Sequence, residues 1–205
     1  RGGPVSGTCP VRRTKPKGGP EQCDAPVEQA GPMSALVLLV CLPTGLRGSS
    51  RPGSPFTGTD AGDLRYETRL KDHRARGSYR ERADDGLELV DCAITNAVRC
   101  VPPQNKPLPV EIRTCRQFLK SQIEAMPQIR AILALGKIAH DSVCDTLGAK
   151  KSAHPFGHGK SYAIDKFRLI ASYHCSRYNT NTGVLSEEMF DAVVKQAKLA
   201  AMPAI

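Results

Sequence analysis

Ile94-Thr95-Asn96-Ala97-Val98-Arg99-Cys100-Val101-Pro102-Pro103-Gln104-Asn105-Lys106-Pro107 is the stretch that decides how this chain folds. Residues 93–98 form an apolar run of strand length that ends on a polar amide and a nearby thiol. Prolines 102, 103 and 107 stiffen the loop that follows. A helix is then predicted over 109–125, with Pro109 at its first position and Glu111 in its first turn, where the dipole favours an anion. Ile112, Cys115, Phe118, Leu119, Ile123 and Met126 fall on one face of it at helical spacing. Asn96, near a strand end, offers both a donor and an acceptor to a planar ligand. Cys100 and Cys115 bracket the loop as two ligands of one metal centre would. A strand with a purely structural role has no need of both features.

Working outward, the same alternation recurs. Residues 36–41 read as a first buried strand, 63–74 as a helix, and 71–85 as a charged surface stretch. Residues 130–135 are a continuous apolar run that stops at Gly136, and a helix follows over 137–147. Residues 167–173 form the last strand. Ser186 caps a closing helix to about residue 200, with Glu187 and Glu188 in its first turn. Strands alternating with helices imply right-handed crossovers, hence a three-layer α/β/α domain around a central, mostly parallel four-stranded sheet. In such sheets the working residues gather at the carboxyl ends of the strands. Gly45, Asn96, Gly136 and His174 all lie there by this reading.

Composition sets the limits. The 205 residues suffice for one large or two small domains. A net charge of +9 favours a polyanionic partner. No apolar run approaches the length of a membrane span, and residues 33–42 are too short for one. The amino-terminal region lacks the order of charges and apolar residues expected of a signal peptide, so a cytoplasmic location is expected. Eight cysteines in that setting point to metal binding or free thiols before disulfides, with Cys92, Cys144 and Cys175 read as buried thiols. Residues 1–32 are rich in Gly, Pro and basic side chains and poor in large apolar ones. They read as an irregular arm contributing metal ligands, distinct from the domain over 33–205.

Three blocks, in order, resemble the uracil-DNA glycosylase superfamily, in particular its iron–sulfur family 5, or type B. The first is Leu38-Leu39-Val40-Cys41-Leu42-Pro43-Thr44-Gly45 with Gly53-Ser54-Pro55-Phe56-Thr57-Gly58; the second runs from Ile94 to Cys115. The third is Ser172-Tyr173-His174-Cys175-Ser176-Arg177-Tyr178-Asn179-Thr180-Asn181-Thr182-Gly183. The resemblance implies a monomeric repair enzyme, nucleoid-associated by function, that flips uracil out of double-stranded DNA and hydrolyses its N-glycosidic bond. His174 would stabilise charge on the departing base, a role worth roughly 100- to 1000-fold in rate. Asn96 would read the base edge, Phe56 would stack on its face, and Gly45 would belong to the substrate-binding set. Asp60 would orient water or stabilise the sugar cation, with Asp63 as second candidate. Arg177, Tyr178 and Asn179 would enter the minor groove.

The resemblance also implies a [4Fe–4S] cluster on Cys9, Cys23, Cys100 and Cys115, with zinc on the same thiols as the alternative. His154 and His158 belong to a histidine-bearing loop expected near the substrate rather than to a metal site. Lys106, Lys150, Lys151 and Lys160 are candidates for phosphates or a solvated face. The first block departs from the family pattern. Thr59 stands where an aspartate usually follows the glycine, Cys41 replaces a glycine, and Ser6 stands where a partner of Cys9 would be. Two further readings are therefore kept: a DNA-binding relative impaired in catalysis, and a thiol-metal redox protein.

Overall fold

Strands that read as near-continuous apolar runs are covered on both faces, and in the computed structural model such runs carry the sheet. The structure describes residues 29–42, 75–76, 88–99 and 106–202. In chain order the strands are β1 (Val37–Cys41), β2 (Ala75–Arg76), β3 (Glu88–Leu89), β4 (Cys92–Asn96), β5 (Ala131–Leu135), β6 (Ser161–Ile164) and β7 (Phe167–Ser172). The helices are α1 (Pro109–Ala125), α2 (Lys137–Thr146), α3 (Arg177–Asn181) and α4 (Glu187–Ala201). The main sheet runs β4-β1-β5-β7-β6, while β2 and β3 pair separately. The β4–β1, β1–β5 and β5–β7 pairings are parallel; β6 joins β7 antiparallel.

Alternation along each strand divides the core into two layers. Leu39, Ile94, Leu133 and Ile170 pack against Phe190, Val193, Val194 and Ala197 of α4. Leu38, Val40, Ala93, Ile132 and Leu169 pack on the other face with Leu119 and Ile123 of α1 and Val143 of α2. This is the expected α/β/α arrangement, with helices on both faces of a mostly parallel sheet. The helix ends are satisfied locally. Glu111 Oε2 accepts the Leu108 N–H at 2.8 Å, and Ser186 Oγ accepts the Met189 N–H at 3.2 Å. Helix α1 has the bounds that its proline and apolar stripe predict.

The sheet has a fifth strand beyond the four read from the sequence. β6 turns into β7 through Asp165 and Lys166, with Asp165 at φ 51° and Ile164 paired to Phe167. Its residues are short and half-exposed, as suits an edge, and present no apolar run to mark them. The helix over 63–74 and most of the arm fall outside the described residues. The end of the arm is described and is stitched to β4. Ala30 N–H donates to Ile94 O at 3.0 Å, and Ile94 N–H donates to Ala30 O at 2.8 Å.

Gly31 makes that stitch possible. It sits at φ 97°, and a Cβ there would lie 2.4 Å from the Cys92 carbonyl oxygen and 2.9 Å from the Ala93 Cα. Gly31→Ala should lower the midpoint of urea unfolding by the equivalent of about 1–3 kcal/mol for the backbone conformation alone. An unchanged midpoint would mean that the arm does not need its close approach to β4.

Candidate active site

The parallel register lines up the carboxyl ends of β1, β4 and β5, and the residues there are polar where the strands are not. Cys41 is the register partner of Asn96. Its thiol donates to Asn96 Oδ1 at 2.9 Å and approaches the Thr95 carbonyl at 3.4 Å. The Ala97 N–H donates to the Cys41 carbonyl at 2.8 Å, continuing the ladder past the end of β4. Cys41 and Asn96 are both buried. From the opposite side of β4, Thr95 Oγ1 donates to Gln122 Oε1 at 2.7 Å, and Gln122 Nε2 donates to Gln29 Oε1. Asn96 thus sits on a backbone held from both faces of the sheet.

His174 follows β7 and reaches the same end. Gly136, which ends β5 at φ 91°, donates its N–H to the Ser172 carbonyl at 2.8 Å. A Cβ on Gly136 would lie 3.4 Å from the His174 Cβ and 3.8 Å from its Cδ2, so the glycine leaves the surface on which the imidazole rests. Burial of the ring lowers the His174 pKa from its ordinary 6.5, and a hydrogen bond to the Leu42 backbone opposes that shift without reversing it. The imidazole is therefore neutral at pH 7. Leu42 is the residue after Cys41, so the end of β1 touches both His174 and Asn96.

The loop after His174 serves it directly. Asn179 Nδ2 donates to the His174 carbonyl at 2.8 Å, and the Asn179 N–H donates to Ser176 Oγ at 3.4 Å to cap α3. The Asn179 side chain, expected at the substrate, is engaged in holding the catalytic candidate. Tyr178 is 74 % exposed and free to meet a partner. Arg177 opens α3.

His158 supports the other flank, and sequence reasoning placed it only loosely near the substrate. Its Nδ1 accepts the Tyr173 N–H at 3.3 Å, and its ring stacks on Tyr173 with centroids 5.2 Å apart. Burial lowers its pKa against an opposing backbone bond to Met189. His154 Nδ1 pairs with the Lys150 carbonyl at 2.8 Å. Lys151 pairs with Asp145 at 2.9 Å, which sets it apart from the other lysines proposed for phosphates; Lys106, Lys150 and Lys160 are exposed.

Gly45, Phe56, Asp60, Asp63, Cys9, Cys23 and Cys100 lie outside the described residues. Cys115 is described and buried in α1. Arg99, the residue before Cys100, stacks over Phe118 at 4.9 Å, one helical turn beyond Cys115. That contact brings Arg99 onto α1, three residues along the helix from Cys115. Among the described residues no group of three or more His, Cys, Asp or Glu could hold a metal ion. None of the described helices is long and apolar enough to cross a membrane. A surface groove of about 790 Å³ lies at the opposite, amino ends of the strands, between Leu36, Arg130 and Phe167, away from His174 and Asn96.

Fold and site define a three-layer α/β protein with a neutral histidine and a buried carboxamide at the carboxyl ends of a parallel sheet. Residues 29–198 match the family model for the uracil DNA glycosylase superfamily, and the chain belongs to that superfamily. It is 42% identical over 174 residues to a type-5 uracil-DNA glycosylase of Thermus thermophilus, covering 84% of this chain and 79% of the relative. A type-5 uracil-DNA glycosylase of Pyrobaculum aerophilum is 35% identical over 172 residues, 84% and 75% of the two chains. A type-4 uracil-DNA glycosylase of Archaeoglobus fulgidus is 30% identical over 133 residues, 62% and 59% of the two chains.

His140, His158 and His174 all have pKa values below 6.5 because burial disfavours their charged forms. Between the folded pKa values and 6.5 the unfolded chain binds more protons than the folded one, so stability rises with pH there. The stabilisation is complete above pH 6.5 and drains as pH falls through the folded values. Melting temperature should therefore be flat above about pH 7 and fall on acidification. A melting temperature that rises on acidification would show that these rings are charged in the fold.

Proposed function

We propose that this chain is a DNA repair glycosylase that hydrolyses the N-glycosidic bond of uracil in double-stranded DNA. The observation that carries this reading is the joining of His174 and Asn96 through the end of β1: Leu42 bonds the imidazole, and Cys41 bonds the carboxamide. A uracil flipped into this place would offer O4 and N3–H to the carboxamide of Asn96. Its O2 would compete with the Leu42 carbonyl for the N–H of a neutral His174. A neutral imidazole stabilises charge building on O2 without having to release a proton, which suits a leaving group departing as an anion. Water adds at the sugar carbon as the base leaves, giving an abasic site and free uracil. Asp60 is the proposed group that orients this water. Tyr178, exposed in α3, and Arg177 are the proposed DNA contacts, and the net charge of +9 supports binding to phosphates.

The test is a labelled duplex with one U·G pair, treated with alkali after incubation. Strand breakage is expected, and His174→Ala should lower its rate roughly 100- to 1000-fold. Salt-sensitive binding of the same duplex without breakage would instead favour the DNA-binding relative impaired in catalysis.

A [4Fe–4S] cluster held by Cys9, Cys23, Cys100 and Cys115 is part of this proposal. The fit rests on the thiol chemistry and on the packing of Arg99 over Phe118, three residues along α1 from Cys115. Such a cluster would pin the arm and the loop after β4 to α1. The purified protein should show a visible band that bleaches on reduction, and Cys115→Ser should abolish it. A colourless protein containing zinc would identify the competing centre. The redox reading gains nothing from Cys144, whose thiol burial pushes up to about 11, far from the range of a reactive thiolate.

A further inference from the structure

We propose that Cys41 is a positioning residue that sets base specificity by fixing the orientation of the Asn96 carboxamide. The inference rests on the reading that Asn96 faces the base. Cys41 and Asn96 are register partners on neighbouring parallel strands, and Leu39 and Ile94, two residues earlier, point to the α4 face, so both side chains emerge on that side. The Cys41 thiol donates to Asn96 Oδ1 at 2.9 Å, while its own carbonyl accepts the Ala97 N–H at 2.8 Å. Side chain and backbone of one residue therefore hold the Asn96 carboxamide and the peptide that follows it. With 1% of Cys41 exposed, water does not compete for this bond.

A carboxamide has an acceptor oxygen with two lone pairs and a donor nitrogen, and the two ends look alike to packing forces. Only a hydrogen bond distinguishes them. The thiol holds Oδ1 toward β1, and among the described residues Nδ2 meets no acceptor. The group left for a ligand is thus a donor, with one lone pair of Oδ1 beside it. Bases with a ring carbonyl at the position read, such as uracil, complement this arrangement. Cytosine and adenine present an amino donor there. Accepting from them requires turning Oδ1 away from the thiol, which breaks the Cys41 bond and leaves a buried donor facing a buried donor. A glycine at position 41 would leave the carboxamide free to turn. Cys41 thus replaces conformational freedom with a preference for oxo over amino bases.

The test compares wild type, Cys41→Ala and Cys41→Ser in the full-length holoprotein. Free uracil and free cytosine are titrated while the Asn96 side-chain amide is followed by ¹⁵N nuclear magnetic resonance. Loss of one neutral hydrogen bond should weaken uracil binding roughly 3- to 10-fold in Cys41→Ala. Cytosine binding should stay as weak as in wild type or improve. Cys41→Ser, which keeps a donor at the same place, should restore the discrimination. Equal affinities in Cys41→Ala and wild type, or equal weakening for both bases, would overturn the proposal. So would a serine variant that behaves like alanine while melting at the wild-type temperature. Excision from the U·G duplex is measured alongside. Its absence in wild type with the uracil preference intact would refute the glycosylase reading and leave the role of Cys41 standing.

Discussion

Everything in this molecule depends on β1 pairing in parallel with β4 on one side and β5 on the other. The register sets Cys41 beside Asn96 and Val40 beside Ala134, so three strands end at the same level. A shift of one residue would turn Leu39 and Ile94 out of the α4 layer and into the α1 layer, and would move Asn96 from one face to the other. The two apolar layers therefore enforce the register, and the register assembles the site. The free energy that orders the catalytic candidates comes from side chains that never touch a substrate.

Among the described residues the site is built from neutral parts. Burial keeps His174 uncharged, Asn96 and Gln122 are amides, and Thr95 and Cys41 contribute weak dipoles. Buried charges would need partners, and each partner would compete with the base. Neutral groups with every orientation fixed by a second hydrogen bond avoid that conflict. Asn179 on the His174 carbonyl and His158 on the Tyr173 N–H perform this service around β7.

Much of this was legible along the chain. The unbroken apolar runs of β1 and β5, and the largely apolar run of β4, announced strands covered on both faces. The bounds of α1 followed from Pro109, Glu111 and the stripe through Cys115 and Phe118, because helix signals are local and repeat every turn. Asn96 and His174 stood out as polar residues closing apolar runs. β6 did not stand out, because an edge strand with one exposed face carries no continuous apolar signal. Asn179 looked like a residue for DNA, since nothing in a linear sequence distinguishes an amide that meets a partner from one that holds a neighbouring carbonyl.

The sequence by itself determined the fold class, the order of helices and strands, and which strand ends carry the candidate residues. Those features arise from period, capping and the need to cover apolar faces, all of which are properties of contiguous residues. Tertiary structure alone decided that Cys41 would meet Asn96, that Gly136 would cradle His174, and that Gly31 would bring the arm onto β4. Each of these joins residues that are distant in the chain. Their meeting depends on register and on close approach of backbones, neither of which is written in any single segment.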